Sequence, residues 1–433
     1  MHRPHMFFRL LSIAAACAAG PALATNGYFP HGYGMKAKGM AGASTAMAHD
    51  SIGGATNPAS MVWVGSRVDV GLDVFMPRRE SERSGALAPF TGANGKVESD
   101  KNQFYVPEFG YNQMLGTDMS LGVSVYGNGG MNTTYPQGNF QCPTPTGFVA
   151  ANMLCGSGEL GVDLSQLIIA PTFAYKLNAQ HAVGVSLLLG YQRFKASGLQ
   201  AFQGISSSPA NVTNNGYDSS TGFGLRVGYQ GRISDAFTIG AAYAPKMNMG
   251  KFDKYKGLFA EGGDFDIPSH YSIGVAFKPA PAWTIAFDAG RINYSDVAAV
   301  NNPSSNQAPL GAANGPGFGW KDVDVFKLGV AWNLSDALTL RVGYNKGDNP
   351  ITSADVSFNI IAPGVMTNHY TAGFTFAIDK ESEITGMLMV APRQSVSGGS
   401  LFNSPAFFGP GNGGSETISM RQSSFGLAWG RKF

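Results

Sequence analysis

The chain closes on Ser424-Phe-Gly-Leu-Ala-Trp-Gly-Arg-Lys-Phe433, and the reading of this stretch decides the fold. Phe425, Leu427, Trp429 and Phe433 stand at even spacing, with Gly426, Ala428, Gly430 and Lys432 between them. Successive side chains of a β-strand point to opposite faces, so the large apolar residues share one face and the others share the second.

At the other end, Arg3 and Arg9 precede a short apolar run over residues 10–19, followed by Ala22-Leu-Ala24. A basic region, an apolar core and a small-x-small site predict a signal peptide over residues 1–24, with the mature chain starting near Thr25. The run is far shorter than the ~20 apolar residues a membrane-spanning helix needs. Cys17 lacks the Leu that lipoprotein processing expects three residues earlier. The chain is thus read as exported.

Composition narrows the class. Charged residues make up 13% of the 433 and hydrophobic residues 44%, yet no apolar run is long enough for a spanning helix. An exported chain of this kind fits a transmembrane β-barrel, whose strands are apolar at every second position. The 58 glycines and 12% aromatics agree, and a net charge of +2 gives no reason to expect nucleic acid. A closing strand with an aromatic last residue is similar to the terminal strand of bacterial outer-membrane barrels. The likeness implies recognition of the Phe433 strand by the barrel assembly machinery.

Alternating segments fall at about residues 67–78, 102–115, 119–127, 164–177, 181–202, 221–232, 237–247, 268–279, 283–294, 322–334, 338–346, 367–378 and 383–395, plus the terminal strand. Fourteen is an even number, as in single-chain bacterial barrels. Six tight connections, at residues 116–118, 178–180, 234–236, 280–282, 335–337 and 379–381, alternate with seven long ones rich in Gly, Asn, Pro and Ser. Short turns on one side and long loops on the other are the periplasmic and outer sides of such barrels. Tyr175, Tyr243, Trp283, Tyr294, Trp332, Tyr344 and Trp429 recur near strand ends, where interfacial girdles sit.

Once the leader is removed, Cys142 and Cys155 remain, both in the long second loop with twelve residues between them. In an exported protein two such cysteines are expected to pair, and closing a loop of that size is worth about 3 kcal/mol. Two free thiols and a metal site are the poorer readings, since no neighbouring His completes a ligand set.

Residues 25–66 do not alternate; they are rich in small residues and methionine, which fills irregular gaps. A fourteen-stranded wall encloses more space than its own side chains fill, so this segment is expected to plug the lumen as a hatch, with residues 67–433 forming the barrel. The alternative is a loose periplasmic tail.

The stretch Gly-x-Gly-x-Lys-x-Lys-Gly-Met-x-Gly-Ala over residues 32–43, then Asp50, then Asn57-Pro58-Ala59, resembles the hatch of the FadL/TodX (OmpP1) family. The resemblance covers essentially the whole mature chain. It implies an all-β, fourteen-stranded antiparallel barrel with an N-terminal plug. It also implies passive uptake of long-chain fatty acids or aromatic hydrocarbons across the outer membrane of a Gram-negative bacterium. In that family an inward kink of the third strand opens the wall sideways, facing the Asn-Pro-Ala segment. Here the third strand ends Val125-Tyr-Gly-Asn-Gly-Gly-Met131, and Gly127, Asn128, Gly129 and Gly130 are expected to form the kink, because glycine tolerates bulges and positive φ. Without the resemblance the same glycines read equally well as the start of an outer loop.

No catalytic constellation emerges. His31, His49, His181, His270 and His369 are scattered, Asp322 and Asp324 fall at a strand rim, and the Gly-x-Gly runs lack the strand-then-helix frame of a phosphate cradle. No enzyme activity, cofactor or metal site is expected. If the aliphatic and aromatic set faces lipid, the lumen receives Arg226, Lys278, Asp288, Lys327, Arg341, Met387 and Met389. Lys327 and Arg341, on adjacent strands, are the candidates to receive a carboxylate; pairing with Asp50 or Asp288 is the competing reading. In the FadL/TodX family an outer groove between the third and fourth loops first collects the hydrophobic ligand, and the resemblance implies this role for Leu258 and Phe259, in an outer loop apolar for its exposure; burial under neighbouring loops is equally compatible. A monomer in contact with outer-membrane lipid and lipopolysaccharide is expected. The competing function is a general porin for polar solutes, which the low charge does not favour.

Overall fold

The computed structural model describes residues 26–405 and 407–433; the signal-peptide expectation lies outside the described residues. Fourteen strands form the wall: β1 Arg67–Ser84, β2 Phe104–Met114, β3 Met119–Asn132, β4 Gly161–Lys176, β5 His181–Ser197, β6 Asp218–Arg232 and β7 Phe237–Ala244 make the first half. The second half is β8 His270–Ala280, β9 Trp283–Ile292, β10 Val323–Asn333, β11 Leu338–Gly347, β12 Asn368–Ala377, β13 Ser382–Gly399 and β14 Ser415–Lys432. Each pairs antiparallel with its sequence neighbours, and β14 pairs with β1 from Arg67↔Lys432 to Ser84↔Ser415, closing the barrel. Closure removes the edges that hydrocarbon could not satisfy.

The pleat of β14 follows the terminal alternation. Phe425, Leu427 and Trp429 are exposed on the outside, level with Val74, Leu72 and Val70 of β1. Similar residues continue around the wall, among them Leu187, Leu189, Phe223, Ile273, Phe287, Phe326 and Phe374, making the lipid-facing band. Near the short-turn rim Trp283 stacks on Trp332 at 5.1 Å, and Phe433 lies 5.9 Å from Tyr111.

Strand count and short turns agree with the sequence reading, but β1, β13 and β14 extend farther outward than their apolar alternation. Past the band the outward positions become polar (Arg78, Glu80 and Glu82 on β1), so hydropathy no longer marks a strand that the ladder continues. A short strand, Gly95–Glu98, pairs with this extension. The second outer loop carries a small hairpin, Phe140–Thr144 with Gly147–Ala151, and a disulfide joins Cys142 to Cys155. Replacing both cysteines with serine is expected to leave the barrel folded and make residues 138–160 more sensitive to limited proteolysis, because the cross-link acts on the loop alone.

Candidate functional site

Residues 26–66 lie against the inward face of the wall with little regular structure, so their backbone polar groups need partners from outside. The wall supplies them. Asp288 of β9 accepts from the amides of Ser44 and Thr45 at 2.8 and 2.9 Å, and Thr371 of β12 donates to the Gly39 carbonyl at 3.0 Å. Asp69 of β1 accepts from the Ser51 amide at 2.9 Å, and Gln230 of β6 donates to the Ala46 carbonyl at 3.0 Å. Wall glycines permit the approach: a Cβ at Gly240 would stand 2.1 Å from the Thr45 oxygen, and one at Gly343 2.3 Å from the Met40 carbonyl carbon.

Ion pairs fix the same segment. Lys38, at the end of the short helix Met35–Lys38, places its Nζ 3.0 Å from Asp73 and 2.6 Å from Glu108, and all three side chains are buried. Lys36 reaches Glu383 at 2.5 Å, which Arg67 also meets at 2.6 Å. Burial, with Asp69 beside it, raises the Asp50 carboxyl above the ordinary range.

Asn57 caps the 3-10 turn Pro58–Trp63 by accepting from the Ala59 amide at 3.1 Å. Its Nδ2 donates to the carbonyls of Thr45 at 2.7 Å and Tyr229 at 2.9 Å. Asn57 and Pro58 sit against Gly184 of β5 and Gly228 of β6. The Asn57→Ala change is expected to cost about 1–3 kcal/mol for each buried group left unsatisfied, and faster hydrogen exchange of the Ala59 amide would report it.

The expectation that Asn57-Pro58-Ala59 faces the third-strand break is not met by this geometry. The β2–β3 ladder runs from Met114↔Ser120 only to Phe109↔Val125. Beyond it, residues 104–108 of β2 pair with β1, and residues 126–132 of β3 pair with β4 across a register shift between Gly127 and Gly129. Gly129 has φ +145°, and a Cβ there would stand 2.0 Å from the Tyr28 carbonyl oxygen, while the Gly130 amide approaches that oxygen at 3.4 Å. The Tyr33 hydroxyl donates to Asn128 at 3.1 Å, and the Tyr33 and Tyr126 rings are 4.5 Å apart. Tyr28 and Tyr33, rather than the Asn-Pro-Ala triplet, therefore touch the break. A Cβ at Gly127 would lie 3.2 Å from the Val106 side chain of β2.

A cavity of ≈ 90 Å³ adjoins this region, lined by Phe29, Tyr33, Ala55, Ile292 and Val325 with Arg226, His270, Asp288 and Lys327. Arg226, buried on β6, donates to the Tyr126 hydroxyl at 3.0 Å and lies 3.0 Å from His270 Nε2; no carboxylate pairs with it among the described residues. Lys327 is opposite Asp288 in the β9–β10 ladder and reaches the Gly42 carbonyl at 3.5 Å. Arg341 is elsewhere: it aligns with Ala331, four residues from Lys327, and donates to Thr375 at 2.7 Å. The structure thus separates the two basic residues that the sequence pairs and sets Arg226 in the cavity with Lys327. The one signal for Arg226 was an inward-parity cation between Gly224 and Gly228. Lys278 keeps the inward parity read for it: it is exposed at the short-turn mouth of the lumen, where it lines a cavity of ≈ 460 Å³ with Ala46, Met47 and Gln230. His31 and His369 stack at 6.1 Å, and no group of metal-ligating side chains occurs among the described residues.

A second cavity, ≈ 40 Å³, lies under the outer loops and is lined by apolar residues. Leu258 and Phe259 both line it, facing Phe202, Leu310, Phe318 and Phe358 from neighbouring loops. Phe259 is buried 4.6 Å from Phe194 and 4.9 Å from Phe265.

One protein family, described as outer membrane protein transport protein (OMPP1/FadL/TodX), matches residues 13–388. Among solved structures, the fold is similar to the Pseudomonas putida toluene transporter TodX, with 20% identity, 94% of this chain and 100% of that one covered, and a TM-score of 0.68. It is also similar to the Ralstonia pickettii toluene transporter TbuX, at 18% identity, 93% and 99% coverage and a TM-score of 0.64. A Pseudomonas aeruginosa FadL homologue matches at 14% identity, 94% and 100% coverage and a TM-score of 0.65. At these identities the likeness carries the fold alone. A search of curated protein sequences finds no significant match.

Proposed function

We propose, from the premise that this chain belongs to the OMPP1/FadL/TodX family of outer membrane transport proteins, that it passes hydrophobic compounds inward by facilitated diffusion and releases them sideways into the membrane. The protein is an outer-membrane channel rather than an enzyme; the route is the proposal. A ligand collects among Leu258, Phe259 and the other apolar residues under the outer loops. It then occupies the cavity beside Arg226 and Lys327, and leaves between β2 and β3 past Gly127, Asn128, Gly129 and Gly130. The observation that carries this reading is the ladder that stops at Phe109↔Val125 while both strands continue. Lateral release spares an apolar molecule from crossing periplasmic water, which costs about 25 cal/mol per Å² of exposed apolar surface.

Residues 26–66 act in this reading as the hatch that closes the lumen to polar solutes. Both long-chain fatty acids and aromatic hydrocarbons fit an apolar route, but a buried guanidinium without a carboxylate partner fits a ligand that carries one. The TodX and TbuX structures are of toluene transporters, so both ligand types belong in the test.

The test expresses the chain in cells lacking their own channel of this family and follows uptake of labelled oleate and toluene, with liposome swelling in sugars as the porin control. Uptake of either compound without sugar permeation is expected. The Arg226→Gln variant is expected to lower oleate uptake about tenfold, the loss of one charge-assisted contact, and to leave toluene uptake nearly unchanged. Sugar permeation without uptake of either compound would replace this reading with a general porin.

A further inference from the structure

The outer wall carries a cluster of four cations, set among Glu80, Glu82 and Glu98, that the transport route does not use. Arg78 of β1 and Arg421 of β14 are direct partners in the closing ladder, and both side chains are exposed on the outside. Like charges directly opposite each other, about 5 Å apart at Cβ, destabilise a sheet. Two more cations join them. The register shift between Ala391 and Gln394 of β13 brings Arg393 out to Ser419 at 2.8 Å and Glu80 at 2.5 Å, and Lys96 meets the same Glu80 at 2.7 Å. Arg78 meets Glu98 at 3.2 Å, whereas Arg421 makes no ion pair among the described residues.

The position of the patch is as informative as its charge. On the same outward faces, Met76, Val74, Phe425, Leu388 and Val390 lie just inward of it and belong to the lipid-facing band. Arg78 and Arg421 therefore stand two residues beyond Met76, at the level where the band ends on the long-loop side, with Arg393 and Lys96 farther out. A ligand that fits must place anionic oxygens over the guanidinium pair and lay acyl chains along the band beneath. Guanidinium matches phosphate in geometry and binds it with charge-assisted hydrogen bonds.

We infer that Arg78 and Arg421, flanked by Arg393 and Lys96, hold a phosphate of the phosphorylated glycolipid in the outer leaflet, with its acyl chains packed on Met76, Phe425 and Val390. This inference rests on the outer-membrane location and is independent of the transport route. The bound phosphate relieves the repulsion across the ladder and pins the seam where the barrel closes.

The experiment adds bis-phosphorylated lipid A to the purified full barrel in detergent and counts retained lipid by native mass spectrometry. The wild type is expected to keep lipid A and to lose most of it when the phosphates are removed. The Arg78→Gln/Arg421→Gln double variant is expected to retain at least about tenfold less, the effect of two lost charge-assisted contacts. Arg431→Gln, on β14 at the opposite rim where Arg431 pairs with Glu381 at 3.1 Å, is expected to behave as wild type. Folding of each variant is checked by its heat-modifiable gel mobility. A folded double variant that retains lipid A as the wild type does, or equal retention of dephosphorylated lipid A, overturns the assignment.

Discussion

Replacing Lys38 with methionine is expected to open the proposed hatch and let polar solutes through. Lys38 Nζ lies between Asp73 of β1 and Glu108 of β2, and the three side chains are at most 2% exposed. Methionine fills much the same space but leaves two carboxylates buried without a counter-charge. Breaking a buried pair from one side costs about 3–5 kcal/mol, because the charge left behind cannot reach water. Glu108 also accepts from the Gly34 amide at 3.1 Å, so the strain passes to the turn before the helix. The least costly relief is for residues 34–42 to leave the wall and admit water to the carboxylates. Liposome swelling in arabinose would report this as a several-fold rise in rate over the wild type. Adding Asp73→Asn and Glu108→Gln removes the stranded charges and is expected to restore most of the closure. A Lys38→Met barrel that swells no faster than wild type would show that residues 26–66 do not act as a hatch held by this ion pair.

How much of this was legible in the sequence depends on the range over which each feature is encoded. The alternation of Phe425, Leu427 and Trp429 is local and fixes the lipid-facing side of β14 without reference to any other strand. Tight connections such as Ser335-Asp-Ala337 are local as well, and hydrogen bonds across the turn, such as Leu334 to Leu338 at 2.9 Å, close them as read. The outer ends of β1 and β13 were not legible, because above the band neither face is apolar and only the partner strand keeps them extended. Tyr28 and Tyr33 at the break were missed for a different reason. They meet residues about a hundred positions away, and no periodicity records such a contact. The basic pairing failed similarly. Parity puts Lys327 and Arg341 on the same face, but depth along the strands is set by register, which separates them and brings Lys327 to the cavity of Arg226. Asp69, Asp73, Glu108 and Glu383 carried a readable signal: acids at inward parity in apolar strands need a partner inside the barrel, and the lysines of residues 36–38 and Arg67 are it.

The most direct measurement concerns the break itself. A Val106→Cys/Gly127→Cys pair would join β2 to β3 where the ladder is absent, since a Cβ at Gly127 already stands 3.2 Å from the Val106 side chain. A disulfide needs Cβ atoms about 3.5–4.5 Å apart, within reach of these positions. The staple leaves the outer loops, the Arg226 cavity and the hatch contacts in place, and it is reversible. Cells carrying the oxidised variant are compared with the same cells after mild reductant, with wild type treated identically to account for the Cys142–Cys155 bond. Uptake of labelled oleate and toluene should fall at least about tenfold in the oxidised variant and recover on reduction, since an apolar ligand then has only the aqueous route, at about 25 cal/mol per Å² of exposed surface. Undiminished uptake through a barrel shown to be fully cross-linked would contradict lateral release between β2 and β3.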